Sequence, residues 1–142
     1  ALAEESAKVN VILLGYQEQE VVQDLFGVAD AFTLASLYDP WPLVMVEAAM
    51  AGKPVLVSDR VGNWVDIVRG GWNGWTFDVM DPESIARAVG AFAAADASDL
   101  EAMGRRSAAL ADEKLRTDRV VEHLNDRLLE LLERCARRAE LA

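Results

Sequence analysis

The sequence predicts an α/β chain, in which a parallel sheet of a few strands occupies the first half and a helical tail the second. Three observations carry this. From Val9 to about Asp78, short continuous apolar runs alternate with segments whose apolar residues recur at helical spacing. Continuous runs, as opposed to alternating ones, are the mark of strands covered on both faces, as parallel strands are. Beyond Asp81 the remaining patterns are all helical.

The elements follow in order. Val9 to Leu14 reads as the first strand, ended by Gly15, and Glu18 to Val28 as a helix with Val21, Val22, Leu25, Phe26 and Val28 on its apolar side. Ala31 to Ala35 is the second strand. Leu43 to Ala51 is helical, stopped by Gly52, with Pro54 forbidding continuation before the strand Val55 to Ser58. A short helix over Asn63 to Val68 and the turn formers Gly70-Gly71-Trp72-Asn73-Gly74 lead to a strand at Trp75 to Phe77. Asp81-Pro82-Glu83 reads as an N-cap with proline at the first helical position, and Ser98 with Glu101 as the capping box of another helix. The last helix, Thr117 to about Ala139, repeats Val121, Leu124, Leu128, Leu131, Leu132 and Cys135 on one face. One domain results, with an α/β core over 9–95 and C-terminal helices over 98–140.

Composition narrows the function. The 142 residues carry a formal net charge of −10, spread along the chain, which repels nucleic acid and anionic lipid and leaves membrane association at most peripheral. The longest apolar runs fall far short of the ~20 residues a membrane span needs. The N-terminus lacks the apolar core of a secretory signal, and the single cysteine, Cys135, forms no internal disulfide; both point to a cytoplasmic protein. No Cys or His cluster and no Asp-x-Asp pair offers a metal site. His123 and Cys135 lie on the last helix, away from every motif, and read as structural, Cys135 as a small core residue.

The informative stretch is Ser36 to Glu47, between a strand and the helix that follows. In parallel sheets ligands gather beyond the carboxyl ends of the strands. The helix start presents free backbone amides, at Trp41, Leu43 and Val44 but not at Pro40 or Pro42, suited to phosphate. Asp39 and Glu47, as ionised acceptors, suit hydroxyl groups. The same residues also describe an ordinary strand-to-helix connection in which Asp39 is simply a cap.

Asp39 to Glu47, continuing through Ala48-Ala49-Met50-Ala51-Gly52-Lys53-Pro54-Val55, resembles the signature of glycosyltransferase family four: two acidic residues separated by seven others, then Ala-Met-Ala-x-Gly-x-Pro-Val. Val11 to Gly15, Ala29-Asp30-Ala31-Phe32, Ser58-Asp59-Arg60-Val61-Gly62 with Asp66-Ile67-Val68, Asn73-Gly74 and Asp81-Pro82 extend the resemblance in order over roughly Val9 to Phe92. It implies the C-terminal half of a Rossmann-like donor domain of a GT-B enzyme. That enzyme would retain configuration as it moves a sugar from a nucleoside-diphosphate sugar to a carbohydrate or lipid-linked acceptor, without cofactor or metal, as in polysaccharide biosynthesis. By the same resemblance Asp39 is the catalytic-site acid that contacts the donor sugar, Glu47 holds the ribose, the Leu43 and Val44 amides hold the diphosphate, and Trp41 lines the sugar pocket. The Gly15-Tyr16-Gln17 loop lies near the base. The basic pair that neutralises the diphosphate and the N-terminal acceptor domain would lie upstream of Ala1, so the chain alone is expected to be inactive. Two departures stand out: the family usually has glutamate at Asp39 and commonly glycine at Pro42. They keep open a degenerate, partner-binding domain, beside a sugar-phosphate or glycogen-type synthase.

Overall fold

The computed structural model describes residues 10–140. Its sheet has three parallel strands in the order β1 (Phe32–Leu34), β2 (Val55–Ser58) and β3 (Gly74–Phe77), with Phe32 opposite Val55 and Val55 opposite Gly74. Helix α1 (Gln19–Val28) precedes β1, α2 (Leu43–Met50) connects β1 to β2, and the short α3 (Trp64–Ile67) lies between β2 and β3. After β3 come α4 (Pro82–Ala94), α5 (Ala97–Leu115) and α6 (Thr117–Glu140). The parallel α/β architecture with a helical tail is the one the patterning predicts.

Strand β2 is the centre of the molecule, and all four of its residues are buried. Val55 and Val57 turn to one face, against Met45 and Ala49 of α2, Val61, Ile67, Val68 and Ala111 of α5. Leu56 turns to the other, with Phe77, Ala88 and Trp75. The period of two thus gives each face its own cluster, which is why the strand is apolar throughout. Trp75 meets Phe92 edge to face with 6.5 Å between centroids, and Phe26 of α1 meets Phe32 of β1 in the same way at 5.8 Å.

A buried polar knot ties the β3 side to α5. Asn73 Nδ2 donates to the Ile67 carbonyl (2.8 Å) and to Ser107 Oγ (3.2 Å), its Oδ1 accepts from Arg69 N (2.7 Å), and Ser107 Oγ reaches the Asn73 carbonyl. Both side chains are fully buried, so removing one partner strands the others without water. Asn73→Ala is expected to lower the free energy of unfolding by about 2 kcal/mol with an unchanged urea m-value.

Four expectations are corrected. Residues 10–14 form no strand: Val11, Ile12 and Leu13 are 66%, 69% and 91% exposed, and the segment pairs with no strand of the sheet. An apolar run becomes a strand only by pairing its backbone, and this segment pairs with neither of the sheet's open edges, β1 and β3. Val9, the first residue of that expected strand, lies outside the described residues. The cap of α5 is Asp96, whose carboxylate accepts from Asp99 N at 2.8 Å; Ser98 donates to the same carboxylate instead of capping, so the helix starts earlier than expected. The apolar stripe of α6 does not enter the core: Val121, Leu124, Leu128, Leu131 and Leu132 are about half exposed or more, and Cys135 is exposed. Periodicity defined that face, but among the described residues α6 packs mainly where it meets α5, at a corner held by Arg116 between Asp112 and Asp118. Hydrogen bonds from Arg116 hold the Asp118 carboxyl down at about 2. The fourth correction concerns the Trp41 amide and belongs to the site. The Asp81 cap of α4 is as expected, accepting from Glu83 N at 2.9 Å. No helix of the described residues is long and apolar enough to cross a membrane.

Candidate functional site

The carboxyl ends of β1 and β2 lie side by side because the two strands are paired in parallel register. Two loops therefore leave the sheet as neighbours. The first runs from Ala35 to Pro42, the second from Asp59 to Asn63. They are fastened together: Asp39 bridges to Val61, and Gly62 N donates to the Asp39 carbonyl at 2.8 Å. A Cβ on Gly62 would overlap the Pro40 carbonyl, so the close approach of the two loops requires glycine there. Gly62 has φ outside the positive region, so packing is the requirement and not conformation.

Within the first loop the Asp39 carboxylate accepts from Trp41 N at 3.2 Å, turning the chain over Pro40. This is the correction to the sequence reading: the Trp41 amide is taken by Asp39. It also decides what Asp39 does locally, since α2 is preceded by Pro42 and has no side-chain cap. Pro42 is buried and anchors the helix entry, while Trp41 is 51% and Leu43 65% exposed. The amides of Leu43 and Val44 open α2, where backbone donors have no intrahelical partner and the dipole favours an anion. The chain brings Asp39, Trp41, Leu43 and Val44 together within one turn at the strand ends.

Glu47 lies one helical turn further and faces α1. Gln19 Nε2 donates to Glu47 Oε1 at 3.4 Å, linking the α2 carboxylate to the helix that follows Gly15, Tyr16 and Gln17. That loop turns at Gly15, φ +66°, and is closed by Gln17 Nε2 donating to the Leu14 carbonyl at 2.7 Å. Tyr16 is 86% exposed and is held by little of the chain. Gln19, two residues after this loop, carries the hydrogen bond that links its end to Glu47. Sequence reasoning passed over Gln19, which sits 28 positions before its partner and carries no motif.

It also passed over Asn63. This residue ends the second loop, directly after Gly62, and is fully buried, yet neither its Nδ2 nor its Oδ1 has a hydrogen-bond partner. An unpaired buried amide costs about 1–3 kcal/mol. The remaining tryptophans are accounted for by packing. Trp64 Nε1 donates to the Asp59 carbonyl at 3.2 Å, and Trp72 lies between the guanidinium groups of Arg69 and Arg106, 5.1 and 5.6 Å from its ring centroid. Lys53 reaches the Gly27 carbonyl and Arg60 pairs with Asp59, both on the surface. His123 is exposed on α6. Among the described residues no three His, Cys, Asp or Glu side chains gather as a metal would require.

A parallel α/β domain with an open loop and helix start at adjacent strand ends belongs to the class of sheets that bind ligands at their carboxyl edge. The family described as glycosyl transferases group 1 matches residues 2–109, and the chain belongs to that family. It is 39% identical over 95 residues to the D-inositol 3-phosphate glycosyltransferase of Streptomyces scabiei, an alignment that covers 66% of this chain and 21% of that protein. Its fold is similar to that of sucrose-phosphate synthase from Thermosynechococcus elongatus, with a TM-score of 0.74 at 19% identity over 93% of this chain and 33% of the other. It is likewise similar to Anabaena HepE in complex with UDP and glucose, with a TM-score of 0.66 at 22% identity over 93% of this chain and 34% of the other. These solved structures are GT-B glycosyltransferases, and the likeness to them is one of fold. The chain spans about a fifth of the length of the curated relatives it matches.

Proposed function

We propose that this chain supplies the donor-binding part of a retaining glycosyltransferase, one that transfers a sugar from a nucleoside diphosphate to an acceptor hydroxyl. The observation that supports it most is the loop and helix from Asp39 to Glu47: two free amides at the head of α2, with a carboxylate on each side of them along the chain. In this reading the Leu43 and Val44 amides bind the diphosphate, which leaves with a growing negative charge that backbone donors and the helix dipole stabilise. Glu47, oriented by Gln19, accepts from the ribose hydroxyls. Asp39 accepts from hydroxyls of the donor sugar beside Trp41, with its second oxygen, since the first holds the turn. Tyr16 covers the base. The rest of the diphosphate charge is met by cations outside this chain, because no lysine or arginine of the described residues pairs with this loop. The acceptor, carbohydrate or lipid-linked, is held by a further domain, and the setting is cytoplasmic with no metal in the step.

A second reading, a partner-binding domain without transfer activity, draws on the exposed apolar stripe of α6. Backbone NMR titration of the chain with UDP, GDP and ADP at millimolar concentration separates the two. The expected result is shifts at Tyr16, Leu43, Val44 and Glu47 with one of the nucleotides; an unchanged spectrum with all three supports the partner-binding reading.

A further inference from the structure

Asn63 carries one step more. Asparagine is among the best helix N-caps, and Asn63 occupies the N-cap position of α3, but its side chain makes no cap hydrogen bond. The amide is instead fully enclosed, and it is the one side chain among the described residues whose buried polar atoms lack any partner. The chain around it is apolar: Val61, Ile67, Val68 and the half-buried Trp64 belong to the cluster on that side of β2. The backbone carbonyl of Asn63 is already engaged, accepting from Asp66 N at 3.2 Å. Gly62, the residue before Asn63, donates to the Asp39 carbonyl and lies against the Pro40 carbonyl, which brings the backbone of the Asp39 to Trp41 loop next to Asn63. That loop is also the one a donor would engage.

We propose that Asn63 is a positioning residue for the donor site, whose buried amide takes up hydrogen bonds with the backbone of the Asp39 to Trp41 loop when a nucleoside diphosphate occupies the head of α2. This rests on the donor-site reading above. The orphaned amide is then a cost carried by the free chain and relieved on binding, which couples the set of the loop to the presence of ligand. Asn63 touches no ligand itself, being fully enclosed; it acts through the loop.

The test compares the full chain with Asn63→Ala and Asn63→Ser in thermal melting and in NMR titration with UDP, GDP and ADP. Removing an unpaired amide relieves its cost, so a third variant, Asn63→Leu, which keeps the side-chain shape without polar atoms, is expected to melt no lower than the native chain, while in Asn63→Ala the affinity for the nucleotide that binds falls about fivefold, the scale of one hydrogen bond's net contribution. Asn63→Ser, which keeps a donor and an acceptor, is expected to bind between the two. In the native chain the Asn63 side-chain amide resonances shift on addition of nucleotide. A lower melting temperature for Asn63→Leu, with or without weaker binding, overturns the proposal, because the amide is then already satisfied in the free chain. Unchanged affinity in Asn63→Ala overturns it as well. If the native chain shows no shift with any nucleotide, it is the donor-site reading that fails, and the melting comparison alone still reports whether the amide is unpaired.

Discussion

Gly104→Ala lowers the stability of this domain by about 3 kcal/mol, although the substitution places the best helix former in the middle of a helix. Gly104 lies inside α5, where alanine in open space would be favoured by about 1 kcal/mol. The space is not open. A Cβ at 104 would overlap the carbonyl oxygen and carbon of Gly52, the residue that ends α2 with φ +72°, and would touch Pro54 Cδ at 3.6 Å. The overlapping atoms belong to the Gly52 backbone, so no side chain can swing away to relieve them; α5 or the α2–β2 turn must move. That turn is pinned in turn by Lys53 N donating to the Ala48 carbonyl at 3.0 Å and by the fully buried Val55 after it. The overlap therefore outweighs the propensity. Gly90→Ala in α4 is the control: no atom lies within 4 Å of its Cβ, and it is expected to stabilise by up to about 1 kcal/mol. Urea unfolding of the two variants beside the native chain reads both signs; a stabilised Gly104→Ala would mean that α5 and the α2 turn are not in backbone contact.

Glu47→Ala is expected to weaken nucleotide binding about 30-fold, which corresponds to about 2 kcal/mol and to the loss of charge-assisted hydrogen bonds to hydroxyls. Glu47 is half-buried on α2, with the fully buried Ala48 and Ala49 beside it, so the carboxylate projects from a rigid helix and not from a loop. Among the described residues its carboxylate makes one hydrogen bond, the long contact to Gln19, and truncation costs the fold little. Glu47→Gln separates charge from shape: it keeps the size but offers one acceptor and a donor in place of two acceptors, and is expected to recover only a small part of the loss. Isothermal titration with the nucleotide found by NMR provides the comparison, repeated with its 2′-deoxy form. If Glu47 serves the ribose, the native preference for the ribonucleotide disappears in Glu47→Ala. Equal affinity of native and Glu47→Ala chains would remove Glu47 from the site.

Much of this architecture was legible because it rests on short-range chemistry. Strand β2 is found where it was expected, from Val55 to Ser58, since Gly52 and Pro54 leave no alternative to a sharp turn before it and its apolar run needs two covered faces. The cap at Asp81 and the helix at Leu43 are equally local. What escaped depends on partners that patterning does not specify. The run from Val11 to Leu14 has the composition of a strand but pairs with neither open edge of the sheet, and composition does not specify that pairing. The stripe on α6 has the period of a packed helix, and a period says which residues face together, not what covers them. In the site, the family resemblance pointed to Asp39 and Glu47, whereas the capture of the Trp41 amide by Asp39 depends on the turn actually taken over Pro40. Gln19 and Asn63 became visible only once α1 met α2 and β1 met β2.

Among the described residues the contacts of helix α6 are concentrated on α5, to which it is joined through the single residue Arg116. Helices of this length, without a packed face, are held in water largely by their own propensity and by pairs such as Arg127 with Glu130 and Arg137 with Glu133. With so little of its surface covered, α6 is expected to fray, melt and reform while β2 and its two clusters remain intact, so that a free energy of unfolding read from the core would not describe the tail.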